Sequence, residues 1–129
     1  MTTRPMPRTD HDHPATLMAR GLGWFSIALG AAELLAPGSI RRSAAVPVSD
    51  PIVQTYGARE IATGVALLAA EKPVRLVWGR VAGDLLDIAT LLPGLNRNNP
   101  GRDATVAALG FVLAATATDL AVAMQGDRA

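Results

Sequence analysis

The chain reads as an all-α protein: a four-helix transmembrane bundle, antiparallel and up-down, with a disordered N-terminal tail. Three observations lead there. Half of the residues are hydrophobic but only 4% are aromatic, so the apolar mass is Ala, Leu, Val and Gly, a mix that suits closely packed helices better than sheets. Four apolar stretches of near-spanning length follow one another, divided by segments rich in Pro, Gly and Asn, the residues that punctuate helices. Finally, the charges inside those stretches recur at helical spacing without forming the broad polar face of a surface helix.

At 129 residues the chain makes one domain with one core. Its net charge of +1 gives no footprint for a nucleic-acid partner. The absence of cysteine excludes disulfides, thiolate metal sites and thiol catalysis. No stretch meets the strict rule of about 18 apolar residues with few or no charges, which keeps a soluble four-helix domain as a rival. Against that rival, residues 104–118 and 22–32 carry no charge at all.

Residues 1–14 are polar and proline-rich and read as a tail. The run Asp10-His11-Asp12-His13 has metal-ligand chemistry, but a short run in such a tail is ordinarily solvated, and no metal or other cofactor is expected. The membrane domain covers 15–125, with spans at about 16–36, 52–70, 74–93 and 102–124. Pro37-Gly38 stops the first span and Pro51 suits the start of the second. The loop between them, 39–55, has room for a short interfacial helix with Ile40 and Val46 turned to the headgroups. The turn Glu71-Lys72-Pro73 makes the second and third spans antiparallel neighbours. Gly23, Ser26, Gly30 and Glu33 recur every three or four residues, and Gly57, Glu60 and Gly64 share a face. Gly79 and Gly83 form a GxxxG, and Ala107, Gly110, Ala114, Ala117 and Ala121 form a small-residue stripe. All of these are expected to serve helix packing. Trp24 and Trp78 read as interface anchors.

Residues 74–92 carry the central question, because Arg80, Asp84 and Asp87 fall on one stripe of an otherwise apolar helix. Arg80 and Asp84, four apart, are spaced for an ion pair. Asp87 is expected to meet Arg59 or Arg20, and Glu33, Glu60 and Asp119 are further partners on other spans. These eight residues form the expected buried network, either a structural set of ion pairs or a pocket for a polar ligand or a proton relay. Histidines occur only in the tail and the serines have no base at helical spacing, so no catalytic constellation is supported. With four spans, Arg4, Arg8, Arg20, Lys72, Arg75 and Arg128 share one side, and Arg41, Arg42, Arg97 and Arg102 the other. The excess of basic residues places the termini in the cytoplasm.

Three blocks, ARGLGWFSIALGAAELLAPG, GAREIATGVALL and WGRVAGDLLDIATL, resemble a family of small bacterial integral membrane proteins of unknown function. Similar segments also stand ahead of START-like cyclase/dehydrase domains, but no such domain is present in this sequence. The resemblance implies a four-helix unit of the bacterial inner membrane and carries no established activity. The motif positions are Arg20, Gly23, Trp24 and Glu33, then Gly57, Arg59 and Glu60, then Arg80, Gly83, Asp84 and Asp87. The resulting expectation is a non-catalytic accessory or interaction subunit in the lipid bilayer, with a protein partner or a second copy of itself. The rival within the membrane is a small carrier or quinone-associated protein that uses Asp84, Asp87 and Glu33 around a polar pocket.

Overall fold

The computed structural model describes residues 14–127. The tail expected over 1–14 and the Asp10–His13 run lie outside them, except for Pro14, which opens the first helix, and Arg128 lies outside as well. Among the described residues every regular element is helical. In order these are α1 (Pro14–Leu35), α2 (Pro37–Ala44), α3 (Asp50–Ala69), α4 (Val77–Leu91) and α5 (Arg102–Asp127), with 3-10 turns at Pro73–Leu76 and Leu92–Leu95 on either side of α4.

Among the described residues a fifth helix, α2, stands beside the four expected spans. It overlaps the 39–55 loop where a short interfacial helix had room, but it starts at Pro37 and ends before Val46. Pro37 has no N–H to continue α1 but suits the first turn of a new helix, and the chain bends there by 101°. The helix ends at Ala45, whose φ of 52° is left-handed and whose N–H bonds back to the Arg42 carbonyl. The third span is shorter than expected because Pro73 and Pro93 each sit in a tighter 3-10 turn.

α1 and α3 form the tightest pair, running antiparallel with Gly23 opposite Gly64 and Gly30 opposite Gly57. A Cβ on Gly30 would lie 2.5 Å from the Gly57 carbonyl oxygen, one on Gly57 2.7 Å from that of Gly30, and one on Gly23 3.0 Å from that of Gly64. The seven-residue spacing of the glycines on each helix is close to two turns, which keeps both on one face. α4 and α5 form a second antiparallel pair, with Arg80 bonded to Asp119 and Gly94 packed on Thr105. α3 and α4, expected as close neighbours, meet over a short polar stretch.

One end of the bundle is closed by a small apolar cluster of Ala19, Leu67, Val77, Val81, Val122 and Ala123. Close by, Arg20 donates to the carbonyls of Leu67 (2.9 Å) and Leu68 (2.7 Å) at the end of α3. The other end is tied by polar groups. Thr105 Oγ1 donates to the Ala44 carbonyl at 2.6 Å. Asn99 Nδ2 donates to Ala45 at 3.0 Å and Gly94 at 2.7 Å, while its Oδ1 accepts from the Gly101 N–H at 3.0 Å.

Large apolar side chains are exposed on every long helix, among them Trp24 (65%) and Leu35 (86%), Val65, Leu85 and Phe111. α5 is long and apolar enough over Arg102–Gly126 to cross a membrane, and only 17% of its most apolar stretch is buried. α1 and α2 meet the same condition only if taken together across their bend, which makes one such helix or two. In α3 the Arg59-Glu60 pair lowers the apolar character, and α4 has 15 residues with three charges.

Candidate functional site

The interior of this molecule buries polar and charged side chains beside its apolar core. Ser26, Glu33, Glu60, Arg80, Asp84 and Asp119 are all buried, and they come from the four long helices. α1 delivers Ser26 because it lies between Gly23 and Gly30 on the face pressed against α3. Helical spacing on α3 places Glu60 between Gly57 and Gly64 on the matching face.

Arg80 is the hub. Its Nε donates to Asp119 Oδ1 at 2.9 Å across the α4–α5 contact. Its Nη1 donates to Ser26 Oγ and, at 3.4 Å, to Glu60 Oε2. Ser26 Oγ donates to the same Glu60 oxygen at 2.8 Å. Arg59 continues the chain, with Nη2 3.0 Å from Glu60 Oε1 and 3.1 Å from Asp87 Oδ1. One connected line, Asp119–Arg80–Glu60–Arg59–Asp87, therefore stitches α3, α4 and α5 together, and Ser26 attaches α1. Aromatic rings flank both guanidinium groups: Tyr56 lies 5.0 Å from Arg59, and Phe25 5.6 Å from Arg80. Tyr56 also bonds Thr90 Oγ1 at 2.6 Å, beside the Arg59–Asp87 bridge.

Of the eight residues expected in the network, Arg59, Glu60, Arg80, Asp87 and Asp119 are joined directly. Glu33 lies near Arg59, Glu60 and Asp87. Two expectations are corrected. Arg20 caps the end of α3 and takes no part in the line of ion pairs. Arg80 and Asp84 form no ion pair among the described residues, because Arg80 extends to Asp119 and Glu60 on neighbouring helices. Asp84 instead lies against Asp119.

The glycines divide in the same way. Gly23, Gly30, Gly57 and Gly64 build the α1–α3 contact, and Gly83 faces the Arg59 guanidinium, 3.4 Å from where its Cβ would be. Gly79 and Gly110 have nothing within 4 Å of where a Cβ would be among the described residues. The stripe Ala107, Gly110, Ala114, Ala117 and Ala121 is likewise exposed throughout. Sequence reasoning assigned Ser26 to packing alone and passed over Phe25, Tyr56 and Thr90. For Ser26 a signal was present, since it shares a helix face with Gly23, Gly30 and Glu33.

Three buried atoms have no hydrogen-bond partner among the described residues: Arg59 Nη1, Asp84 Oδ2 and Asp119 Oδ2. Among the same residues no group of three or more His, Cys, Asp or Glu is placed to hold a metal ion. A cavity of about 590 Å³ lies apart from the seam at the polar end, between Arg41, Arg42 and Val46 on one side and Pro93, Asn98 and Pro100 on the other. The seam can hold charges in register, exchange protons or accept a polar group. No family model, no curated protein and no solved structure matches the chain, so its chemistry is read from the seam itself.

Proposed function

We propose that this is a small multi-pass membrane protein in which α1, α3, α4 and α5 cross the bilayer and α2 lies at headgroup level. In this reading it acts without catalysis of its own, as an accessory or interaction subunit, and the charged seam fixes the packing of its helices. The observation that carries the reading is the inverted distribution of side chains. Arg80, Asp84 and Asp119 are at most 6% exposed, while Trp24, Leu35, Leu85 and Phe111 face outward. Soluble monomers rarely expose apolar patches beyond a few hundred Å², whereas charges within a bilayer turn to a bundle interior and pair there.

The lengths fit. A helix of 20 residues spans roughly 30 Å, about one hydrocarbon core. The 15 residues of α4 cover about 22 Å, and the 3-10 turns at each end lengthen the segment. The bend of 101° after α1 turns α2, with Arg41 and Arg42, across the end of the bundle. The bacterial inner membrane, and kinship with the family of small membrane proteins, belong to the same proposal and rest on the three sequence blocks. Cytoplasmic termini rest on the basic residues, with Arg4, Arg8 and Arg128 deciding the balance. An alkaline carbonate wash of membranes from expressing cells tests the reading. The protein is expected to stay in the pellet and to leave it only in detergent; recovery in the wash would establish the soluble four-helix rival.

A second reading, a small carrier using Glu33, Asp84 and Asp87, is favoured by the unpartnered Arg59 Nη1 and Asp84 Oδ2. Fully structural ion-pair networks tend to satisfy such atoms.

A further inference from the structure

Five carboxyl groups converge on two guanidinium groups in the middle of the bundle. Arg80 bonds Asp119 and Glu60, and Arg59 bonds Glu60 and Asp87. That line engages three carboxylates, Glu60, Asp87 and Asp119, and leaves Asp84 and Glu33 outside it. Asp84 is 6% exposed and its Oδ2 has no partner among the described residues. Asp84 stands one turn beyond Arg80 on α4, and Arg80 bonds Asp119, so the two carboxyls are neighbours at the α4–α5 contact. Asp119 is fully buried; its Oδ1 accepts from Arg80 Nε at 2.9 Å, and its Oδ2 is likewise without a partner.

Two ionised carboxylates can only accept hydrogen bonds. Side by side and out of water they repel each other, and each keeps an oxygen that no donor meets among the described residues. We propose that Asp84 and Asp119 form a proton-binding site, with one proton held between the two carboxyls. The proton adds to a lone pair of Asp84; no covalent bond to carbon breaks and nothing is oxidised or reduced. The resulting O–H donates to Asp119, which gives partners to both carboxyls at once. The proton is assigned to Asp84 because Asp119 already accepts from Arg80 Nε while Asp84 bonds no cation among the described residues.

The groups facing the site are Arg80 and Asp87 from α4, Asp119 from α5 and Glu60, backed by Arg59, from α3; α1 contributes the neutral Ser26. Release of the proton sets two anions against each other across the α4–α5 contact, so occupancy of the site is coupled to the closeness of those helices. The inference rests on the carrier reading and names the proton as the ligand of the seam.

Infrared spectroscopy of the purified full chain in detergent at neutral pH tests it. The expected spectrum contains the carbonyl stretch of a protonated carboxylic acid, above the amide band, which moves to lower frequency in heavy water. The band is expected to vanish in Asp84→Asn and to persist in Glu33→Gln. Should Asp84→Asn fail to fold, isotopic labelling of the aspartate carboxyl carbons in the unmutated chain separates an aspartate band from one of Glu33 or Glu60, and a shifted band supports the site. No such band in the unmutated protein, a band that survives Asp84→Asn, or one unmoved by aspartate labelling would overturn the site. A carbonate wash that frees the protein, with the band intact, would refute the membrane and leave the proton site standing.

Discussion

Glycine at positions 23, 30, 57 and 64 sets how closely α1 approaches α3, since a side chain at any of them meets backbone on the other helix. Overfilling such a contact costs about 1–3 kcal/mol when neighbours can move, and here the neighbour is backbone. Gly30→Leu is therefore expected to destabilise the protein by at least that much in thermal unfolding of the purified chain in detergent. Gly110→Ala, where nothing lies within 4 Å, is expected to leave stability unchanged or to raise it by up to about 1 kcal/mol from helix propensity. Equal losses in the two variants would refute this division. The sequence presents all these glycines in similar apolar runs. What separates Gly30 from Gly110 is the neighbouring helix, and one helix's periodicity says which residues share a face without saying what that face meets.

Whole elements were legible to the extent that prolines and apolar period define them. Pro37, Pro51, Pro73 and Pro93 mark the breaks, and the helices lie between them. The direction of the chain after Pro37 was not legible, nor was the way the two loops at that end are joined. That join depends on Thr105 and Asn99 reaching the Ala44 and Ala45 carbonyls from about 54 to 61 residues away. Both side chains look like ordinary helix-start and turn residues. Removing a hydrogen-bonding side chain and leaving a carbonyl unmet costs about 1–3 kcal/mol. Asn99→Ala is accordingly expected to speed amide hydrogen exchange across residues 44–49 and 94–101 while the α1–α3 contact keeps its protection. Uniform acceleration through the chain would contradict a local tie.

For the molecule as a whole, Arg80 links the four long helices, because it bonds residues of α1, α3 and α5 from its place on α4. The candidate network was largely named by the sequence, since charges in apolar helices need partners. The pairing was not, because an i, i+4 pair within one helix is worth only about 0.2–0.5 kcal/mol and yields to a buried carboxylate from another helix. Arg80→Met is expected to cost about 3–5 kcal/mol by stranding Asp119, while Glu60 keeps Arg59 and Ser26. The double variant Arg80→Met, Asp119→Leu is expected to recover part of that loss, as read by unfolding in detergent. A loss under about 1 kcal/mol in the single variant, the range of an exposed pair, would show the network to be marginal. The same connectivity imposes an order on biosynthesis. Glu60 has its first partner, Arg59, beside it in sequence, so that link needs no later helix. Arg80 comes 20 residues later and Asp119 a further 39. Chains are made from the N-terminus at about 5–20 residues per second, so the line of charges closes link by link during synthesis, and its Arg80 end waits for the last helix.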